Sequence, residues 1–261
     1  RKHARLKYVL EARGADWCRQ EIEQRTGFKL EPARPFQFTR QGDLLGWHRQ
    51  LDGRFFLGIF VENGRVRDVD GYQLKRGLRR VMEELQPEVR LTASQNLLLV
   101  NIPGEHREGI NRVLREHGIS TENPFSPLRL AAMACPALPT CGLALTESER
   151  ALPDLLTRIE KVLEETGLKG EEIVVRMTGC PNGCSRPYMA EVGLVGRAPN
   201  KYQIYLGGNA ESTRLNRLYK DGVKGEDIPE ELRSLLALFA AQRAPGERFG
   251  DFCTRTVLQK G

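Results

Sequence analysis

The sequence predicts an α+β fold built as two successive units, and three observations predict it. Strand-like apolar runs alternate with amphipathic helical periods along most of the 261 residues. The pattern restarts after the proline-containing stretch "TENPFSPLRL" at 121–130. Two close cysteine pairs, Cys135/Cys141 and Cys180/Cys184, fall only in the second unit. The length suffices for one large domain or two ordinary ones, each with its own core.

The elements follow in order. Residues 3–27 carry helical periodicity, interrupted near Gly14-Ala15-Asp16 and closed by Gly27. "EPARPF" (31–36) reads as a turn or linker, so 1–35 form an N-terminal helical segment. Next, the apolar run Phe55–Val61 meets the turn signal Asn63-Gly64, and Arg65–Val69 continues, which predicts a hairpin. "YQLKRGLRRVMEELQP" is an amphipathic helix stopped by Pro87. "VRLTASQNLLLVNI" holds two short strands or one bent one, and "EHREGINRVLREHG" is a helix. Residues 36–120 thus form a small α+β sandwich. In the second unit, 121–261, a helix is expected over 147–167 behind the capping signal "TESE". "EIVVRM" is a strand leading into the second cysteine pair. "MAEVGLVG" and "KYQIYLGG" are strands, and a helix over 229–243 and a short tail end the chain.

Composition excludes several classes. With 40% hydrophobic and 28% charged residues the chain is globular rather than disordered. No apolar run is long enough to span a bilayer, and the basic N-terminal stretch lacks the apolar core of a secretory signal. The chain is therefore expected to be soluble, in the cytoplasm or, in a plant, the plastid stroma, with no membrane partner. The net charge of +6 suits an anionic partner, but no aromatic-basic pattern argues for nucleic acid.

Six cysteines in 261 residues are too few for a disulfide scaffold. Cys18 and Cys253 stand alone and read as idle thiols. The pairs are Cys135-x5-Cys141 in "ACPALPTCGLAL" and Cys180-x3-Cys184 in "GCPNGC", with 38 residues between them. A redox dithiol shows a two-residue gap, which is absent. Structural zinc favours tight loops at both ends, and the five-residue gap with two prolines fits that poorly. An iron–sulfur cluster tolerates wider spacing around a larger body and is the favoured reading. Zinc and unliganded thiols stay open on spacing alone.

"TGCPNGCSRPYMAEVGLVG" and "ACPALPTCGLALTESER" resemble the C-terminal half of the sulfite and nitrite reductase hemoproteins. "GWHRQLDGRFFLGIFVENGR", "RLTASQNLLL", "YQIYLGGN" and "RFGDFCTR" extend the likeness over nearly the whole chain. Gly183 and "SRPYMAE" are more like the sulfite branch; "GWH" and "GLALTESER" are most like the ferredoxin-type, assimilatory form. The resemblance implies a ferredoxin-like half-domain over 36–120 followed by an α/β iron–sulfur/siroheme-binding domain over 121–261. It implies that Cys135, Cys141, Cys180 and Cys184 bind one 4Fe-4S cluster and that Cys184 is also the axial thiolate of siroheme. The implied reaction is six-electron reduction of sulfite to sulfide with ferredoxin as donor. The alternatives are the same machinery acting on nitrite, or a stand-alone iron–sulfur electron carrier.

Further residues follow from this resemblance. Siroheme carries many carboxylates, so cations are expected around it. Arg176 and Arg186 flank the second pair, and Arg1, Lys2, Arg5 and Lys7 lie in "RKHARLK". Asn182 sits between the cysteines of that pair. Thr92, Gln95 and Asn96 match the family's "LTxxQN" strand. His48 shows no ligand spacing and reads as structural. Lys201 and Arg197 are candidates for a basic donor-docking surface. The anion-gripping Arg and Lys belong to a preceding half that this sequence lacks. The catalytic residues are therefore unassigned, and the chain is expected to be inactive alone, as a fragment or as a subunit completed by another chain.

Overall fold

The structure is a computed structural model and describes residues 6–36, 38, 42–122 and 124–260. It divides into two compact units, residues 1–39 and 40–261. In the first, helix α1 (Leu6–Thr26) is broken at Gly14, where φ is 82°. The Gly27 N–H donates to the Glu23 carbonyl at 3.0 Å and ends the helix. Arg19 holds the proline-rich segment back against α1 by donating to the carbonyls of Leu30 (3.1 Å) and Glu31 (2.6 Å).

The second unit is an α+β structure with two main sheets, as the sequence predicts. Strands β1 (Gly46–Arg49) and β2 (Phe55–Ile59) are followed by the short ribbon β3 (Asp68–Val69) and β4 (Tyr72–Gln73). Helix α2 (Leu74–Leu85), strands β5 (Glu88–Leu91) and β6 (Leu97–Ile102), and helix α3 (Arg107–Glu116) complete this module. The sheet order is β1-β2-β6-β5, all antiparallel. Leu57, Ile59, Leu97 and Leu99 meet Leu74 and Val81 of α2 and Ile110, Val113 and Leu114 of α3 in one core. Each such burial stabilises the fold by about 1.5–3 kcal/mol.

The hairpin expected at Asn63-Gly64 is corrected here. β2 pairs with β1 before it and β6 after it, whereas Arg65–Val69 does not return along β2. Asn63 does adopt a left-handed φ of 53°, so the turn chemistry is real. Its direction is set by long-range bonds. The Asn63 side chain donates to the Glu149 carbonyl at 3.1 Å, and Arg65 pairs with the Glu149 carboxylate, which draws the chain away from β2.

The rest of the unit begins with α4 (Pro127–Ala131), β7 (Met133–Ala134), α5 (Leu152–Glu165) and β8 (Val175–Thr178). β9 (Val192–Ala198), β10 (Lys201–Leu206), β11 (Arg217–Lys224), α6 (Ile228–Gln242) and α7 (Phe249–Phe252) follow. The sheet order is β11-β10-β9-β8-β7, with β7, β8 and β9 mutually parallel and β9, β10 and β11 antiparallel. α5 buries Leu152, Leu155, Leu156, Ile159, Val162 and Leu163, the i, i+3, i+4, i+7 stripe of a core-facing helix. That stripe meets Val175, Met177, Leu194 and Ile204 of the sheet and Leu232, Leu236 and Phe239 of α6. α5 starts five residues later than "TESE" suggests. The Thr146 hydroxyl, the cap that "TESE" offers, donates to the Tyr202 hydroxyl at 3.2 Å and accepts the Asn200 N–H at 3.0 Å instead of capping the helix.

The opposite face of this sheet matters for the site. Val175 and Met177 face the helices, so Arg176 between them points the other way. The segment 184–190 folds over that face. Gly193 permits this, because a Cβ there would stand 2.3 Å from the Pro187 carbonyl oxygen. Among the described residues no helix is long and apolar enough to cross a membrane.

Candidate metal centre

Both cysteine loops leave the C-terminal ends of neighbouring parallel strands. Cys135 directly follows β7, and Gly179-Cys180 directly follow β8. In open α/β sheets this end is where ligands bind. The two exits are stitched together. The Cys135 N–H donates to the Met177 carbonyl at 3.2 Å, and the Gly179 N–H donates to the Cys135 sulfur at 3.3 Å. Further along, Leu145 N–H and Thr146 N–H both donate to the Gly179 carbonyl, at 2.8 and 3.2 Å. The first loop turns back at Cys141, whose N–H donates to the Ala137 carbonyl at 2.7 Å. The second turns at Gly183, whose φ of 71° favours glycine, and closes with Arg186 N–H on the Gly183 carbonyl at 2.8 Å. Ser185 anchors the return through its hydroxyl on the Met177 carbonyl at 2.7 Å.

These loops bring the four predicted cysteines together. Cys135 and Cys180 are buried, Cys141 is half-buried and Cys184 is exposed. The Cys184 thiol is pushed up, first by desolvation and then by Cys135, Cys180 and Cys141, so these three lie within electrostatic reach of Cys184. All are free thiols. Among the described residues, however, no three His, Cys, Asp or Glu side chains converge closely enough to hold a single metal ion. Four thiols on two proline-stiffened loops form a soft donor set, the kind that iron–sulfur clusters use. The other two cysteines lie elsewhere. Cys18 is on α1, and Cys253 is buried in the core, its thiol pushed up to about 12 by burial and then by Glu191.

Three buried side-chain atoms without a hydrogen-bond partner flank these loops: Gln95 Oε1, Thr178 Oγ1 and Arg176 Nε. Orphans of this kind mark a place built to meet another group. Gln95 donates its amide to the Ala134 carbonyl at 2.8 Å, one residue before Cys135. Asn96 is committed on both sides. It accepts from Val61 N–H at 2.9 Å and donates to Asp43 at 2.9 Å, while the Thr92 hydroxyl donates to the same carboxylate at 2.5 Å. Asn182 is exposed at the tip of the second loop. Arg186 donates to the Ala93 carbonyl at 2.8 Å. Arg176 is pushed down to about 10, by burial and then by the charge of Arg186.

Other predicted residues take lesser places. His48 stacks on Phe56 with ring centres 4.9 Å apart, and its Nε2 lies 3.0 Å from the Leu45 carbonyl, a structural role. Arg197 and Lys201 are exposed near the β9–β10 turn. Arg1, Lys2 and Arg5 lie outside the described residues, as does the side chain of Lys7. Three residues that sequence reasoning passed over support the first loop. Arg65 grips the Glu149 carboxylate in a two-pronged ion pair, and the Glu149 N–H donates to the Cys135 carbonyl at 3.2 Å. Arg150 donates to the Leu138 carbonyl at 2.7 Å. The signal was the pair of charges in "SER" soon after Cys141, which the capping reading of "TESE" obscured.

Residues 48–117 match the family model described as the nitrite/sulfite reductase ferredoxin-like half domain. The chain is also 49% identical over 255 residues to the sulfite reductase (NADPH) hemoprotein beta-component of Nitrobacter hamburgensis. That alignment covers 98% of this chain and 44% of the relative. The chain belongs to the sulfite and nitrite reductase family. A member of the same name from Methylobacterium sp. strain 4-46 is 50% identical over 98% of this chain and 42% of its own length. The chain thus spans less than half the length of these curated relatives. The fold recurs in the structure of Mycobacterium tuberculosis NirA, with a TM-score of 0.79, 23% identity, and coverage of 97% of this chain and 48% of that one.

Proposed function

We propose that this chain is the cluster- and siroheme-ligating part of a sulfite reductase that reduces sulfite to sulfide by six electrons in the cytoplasm. The observation that supports the reading is the pair of cysteine loops that leave the ends of the neighbouring parallel strands β7 and β8, each carrying two free thiols. In this reading residues 36–120 are the ferredoxin-like half-domain and 121–261 hold the cofactors. Cys135, Cys141, Cys180 and Cys184 hold a 4Fe-4S cluster, which stores and relays electrons when bound. Cys184, the exposed member, would also supply a thiolate to siroheme. Gln95 fixes the strand end before Cys135, Asn96 fixes Gln95's turn, and Asn182 and Arg186 line the loop beside the tetrapyrrole.

The test is an absorption spectrum with iron and sulfide analysis of the anaerobically purified full-length protein. The expected result is a tetrapyrrole spectrum with about five irons and four inorganic sulfides per chain. A colourless protein holding zinc would overturn the reading. A cluster spectrum without tetrapyrrole would make it an electron carrier.

Two donors are supported by different observations. The net charge of +6 supports ferredoxin, an acidic protein. The relatives' names specify NADPH, and this favours a flavoprotein chain using NADPH. Charges steering ferredoxin would be screened over about 8 Å at physiological ionic strength. A ferredoxin donor therefore predicts a rate that falls steeply with salt, while a small donor such as methyl viologen stays unaffected. Robust NADPH-flavoprotein activity beside no ferredoxin activity would assign the other donor.

A further inference from the structure

The first cysteine loop is held by a turn from a different module. Arg65 lies in the turn after β2, inside the matched half domain, and Glu149 lies 84 residues further along, beyond Cys141. The Glu149 carboxylate takes both prongs of the Arg65 guanidinium; its side chain is 6% exposed and that of Arg65 is 36% exposed. Glu149 also commits its backbone to the join. Its carbonyl accepts from the Asn63 side chain at 3.1 Å, and its N–H donates to the Cys135 carbonyl at 3.2 Å. One residue thus ties the turn at 62–65 to the first thiol-bearing residue of the loop.

The same turn grips the other flank. Glu62 accepts from Arg129 of α4 at 2.7 Å, and α4 leads into β7 and Cys135. Gly64, at φ 72°, lies against Gln95, where an added Cβ would stand 3.2 Å from the Gln95 Cβ. Gln95 in turn donates to the Ala134 carbonyl at 2.8 Å. Between these pins the loop is exposed from Leu138 to Thr140. An exposed loop with few buried contacts opens locally unless its ends are fixed.

We propose that Arg65 and Glu149 form a clasp through which the half domain keeps the first cysteine loop closed, and that this clasp sets how firmly the loop retains what Cys135 and Cys141 ligate. The identity of that ligand, a 4Fe-4S cluster, rests on the function proposed above, while the clasp rests on the geometry. Arg65 is a positioning residue, acting through Glu149 on the Cys135 backbone. Without it the Glu149 carboxylate is buried with no counter-ion, a costly state. Swinging that carboxylate out to water relieves the cost and draws the Glu149 N–H away from Cys135. A lysine at 65 keeps the charge but not the two-pronged fit.

The experiment uses the full-length protein and the variants Arg65→Gln, Arg65→Lys, Glu149→Ala and the double variant Arg65→Gln/Glu149→Ala. Arg80→Gln, which breaks a more exposed pair with Glu84 in the same module, is the control. In cluster-loaded protein without denaturant, iron release to a ferrous chelator should be about tenfold or more faster in Arg65→Gln and Glu149→Ala than in wild type or Arg80→Gln, the scale of a lost outer-shell partner. Arg65→Lys falls between. The double variant is no faster than the faster single one, because the two residues act as a unit. In cluster-free protein, alkylation by iodoacetamide, read by mass spectrometry, gives a second readout. Cys135, 7% exposed, is labelled faster in Arg65→Gln by a similar factor, while Cys253, fully buried in the core, stays protected. Wild-type rates of iron release and of Cys135 labelling in both Arg65→Gln and Glu149→Ala overturn the proposal. So does parallel labelling of Cys135 and Cys253, which marks general destabilisation rather than the opening of one loop. A wild-type protein that takes up no cluster overturns the cluster reading instead, and the labelling then decides the clasp by itself. Should Arg65→Gln not fold, Arg65→Lys and Glu149→Ala decide by the same two readouts.

Discussion

Replacing Cys184 with serine is expected to disturb two centres, whereas Cys135→Ser acts first on one. The four thiols are not equivalent. Cys135 and Cys180 are 7% exposed, and the Cys135 sulfur also accepts the Gly179 N–H, so it faces inward. Cys184 is the exposed member at the end of the turn that Gly183 makes. In the proposed reading, Cys184 is the exposed thiol that would also ligate siroheme. In the full-length enzyme, sulfite reduction by Cys184→Ser should fall by more than about 100-fold, beyond the effect of losing an outer-shell partner. Its tetrapyrrole absorbance should shift together with loss of cluster iron. Cys135→Ser should lose cluster iron while the tetrapyrrole remains bound. A tetrapyrrole spectrum in Cys184→Ser indistinguishable from wild type would show that this thiol is not the axial ligand.

Much of the centre was readable in advance because its chemistry is local. Prolines and glycine between close cysteines state the loops' stiffness, and "EIVVRM" states the strand that aims one of them. What sequence did not reveal was set by distant partners. The Asn63-Gly64 turn was recognised, but Glu149, 86 residues away from Asn63, decides where it leads. Thr146 looked like a helix cap, but its hydroxyl is taken by Tyr202 and Asn200. β11 escaped notice because it is an edge strand, mostly exposed, with lysines at 220 and 224 and no apolar alternation. Asn96 matched a family strand, yet both ends of its amide are used inside the fold. Arg176 could be named as a basic residue near the second cysteine loop, but only the structure shows that its Nε is buried without a hydrogen-bond partner.

The largest loss of stability from a single substitution is expected from Glu191→Ala. Its side chain is fully buried and gathers three donors from two separate segments. One oxygen accepts Val174 N–H at 2.9 Å and Arg248 at 3.0 Å, and the other accepts Gly250 N–H at 3.0 Å. This explains "RFGDF" near the C-terminus. Arg248 and Gly250 meet the carboxylate, while Phe249 and Phe252 enter the core beside Phe239, with ring centres 5.4 and 5.3 Å away. Burial alone would push the Arg248 guanidinium down, and Glu191 with Glu172 more than offsets it, so the cation is held. Removing Glu191 leaves that cation half-buried with only Glu172, and leaves two amide donors unpaired. The expected cost is about 3–5 kcal/mol, the range for breaking a buried ion pair from one side. Glu191→Gln should cost less, because one amide oxygen still serves some of the donors. Glu164→Ala, which breaks only the exposed pair with Lys169, should leave the denaturation midpoint unmoved. The measurement is the urea midpoint at constant slope, read together with cluster absorbance. Glu191 ends the segment that begins at Cys184 and lies over the sheet, so cluster absorbance should be lost at lower urea as well. A midpoint for Glu191→Ala within that of Glu164→Ala would show that this buried carboxylate does not hold the C-terminal segment to the sheet.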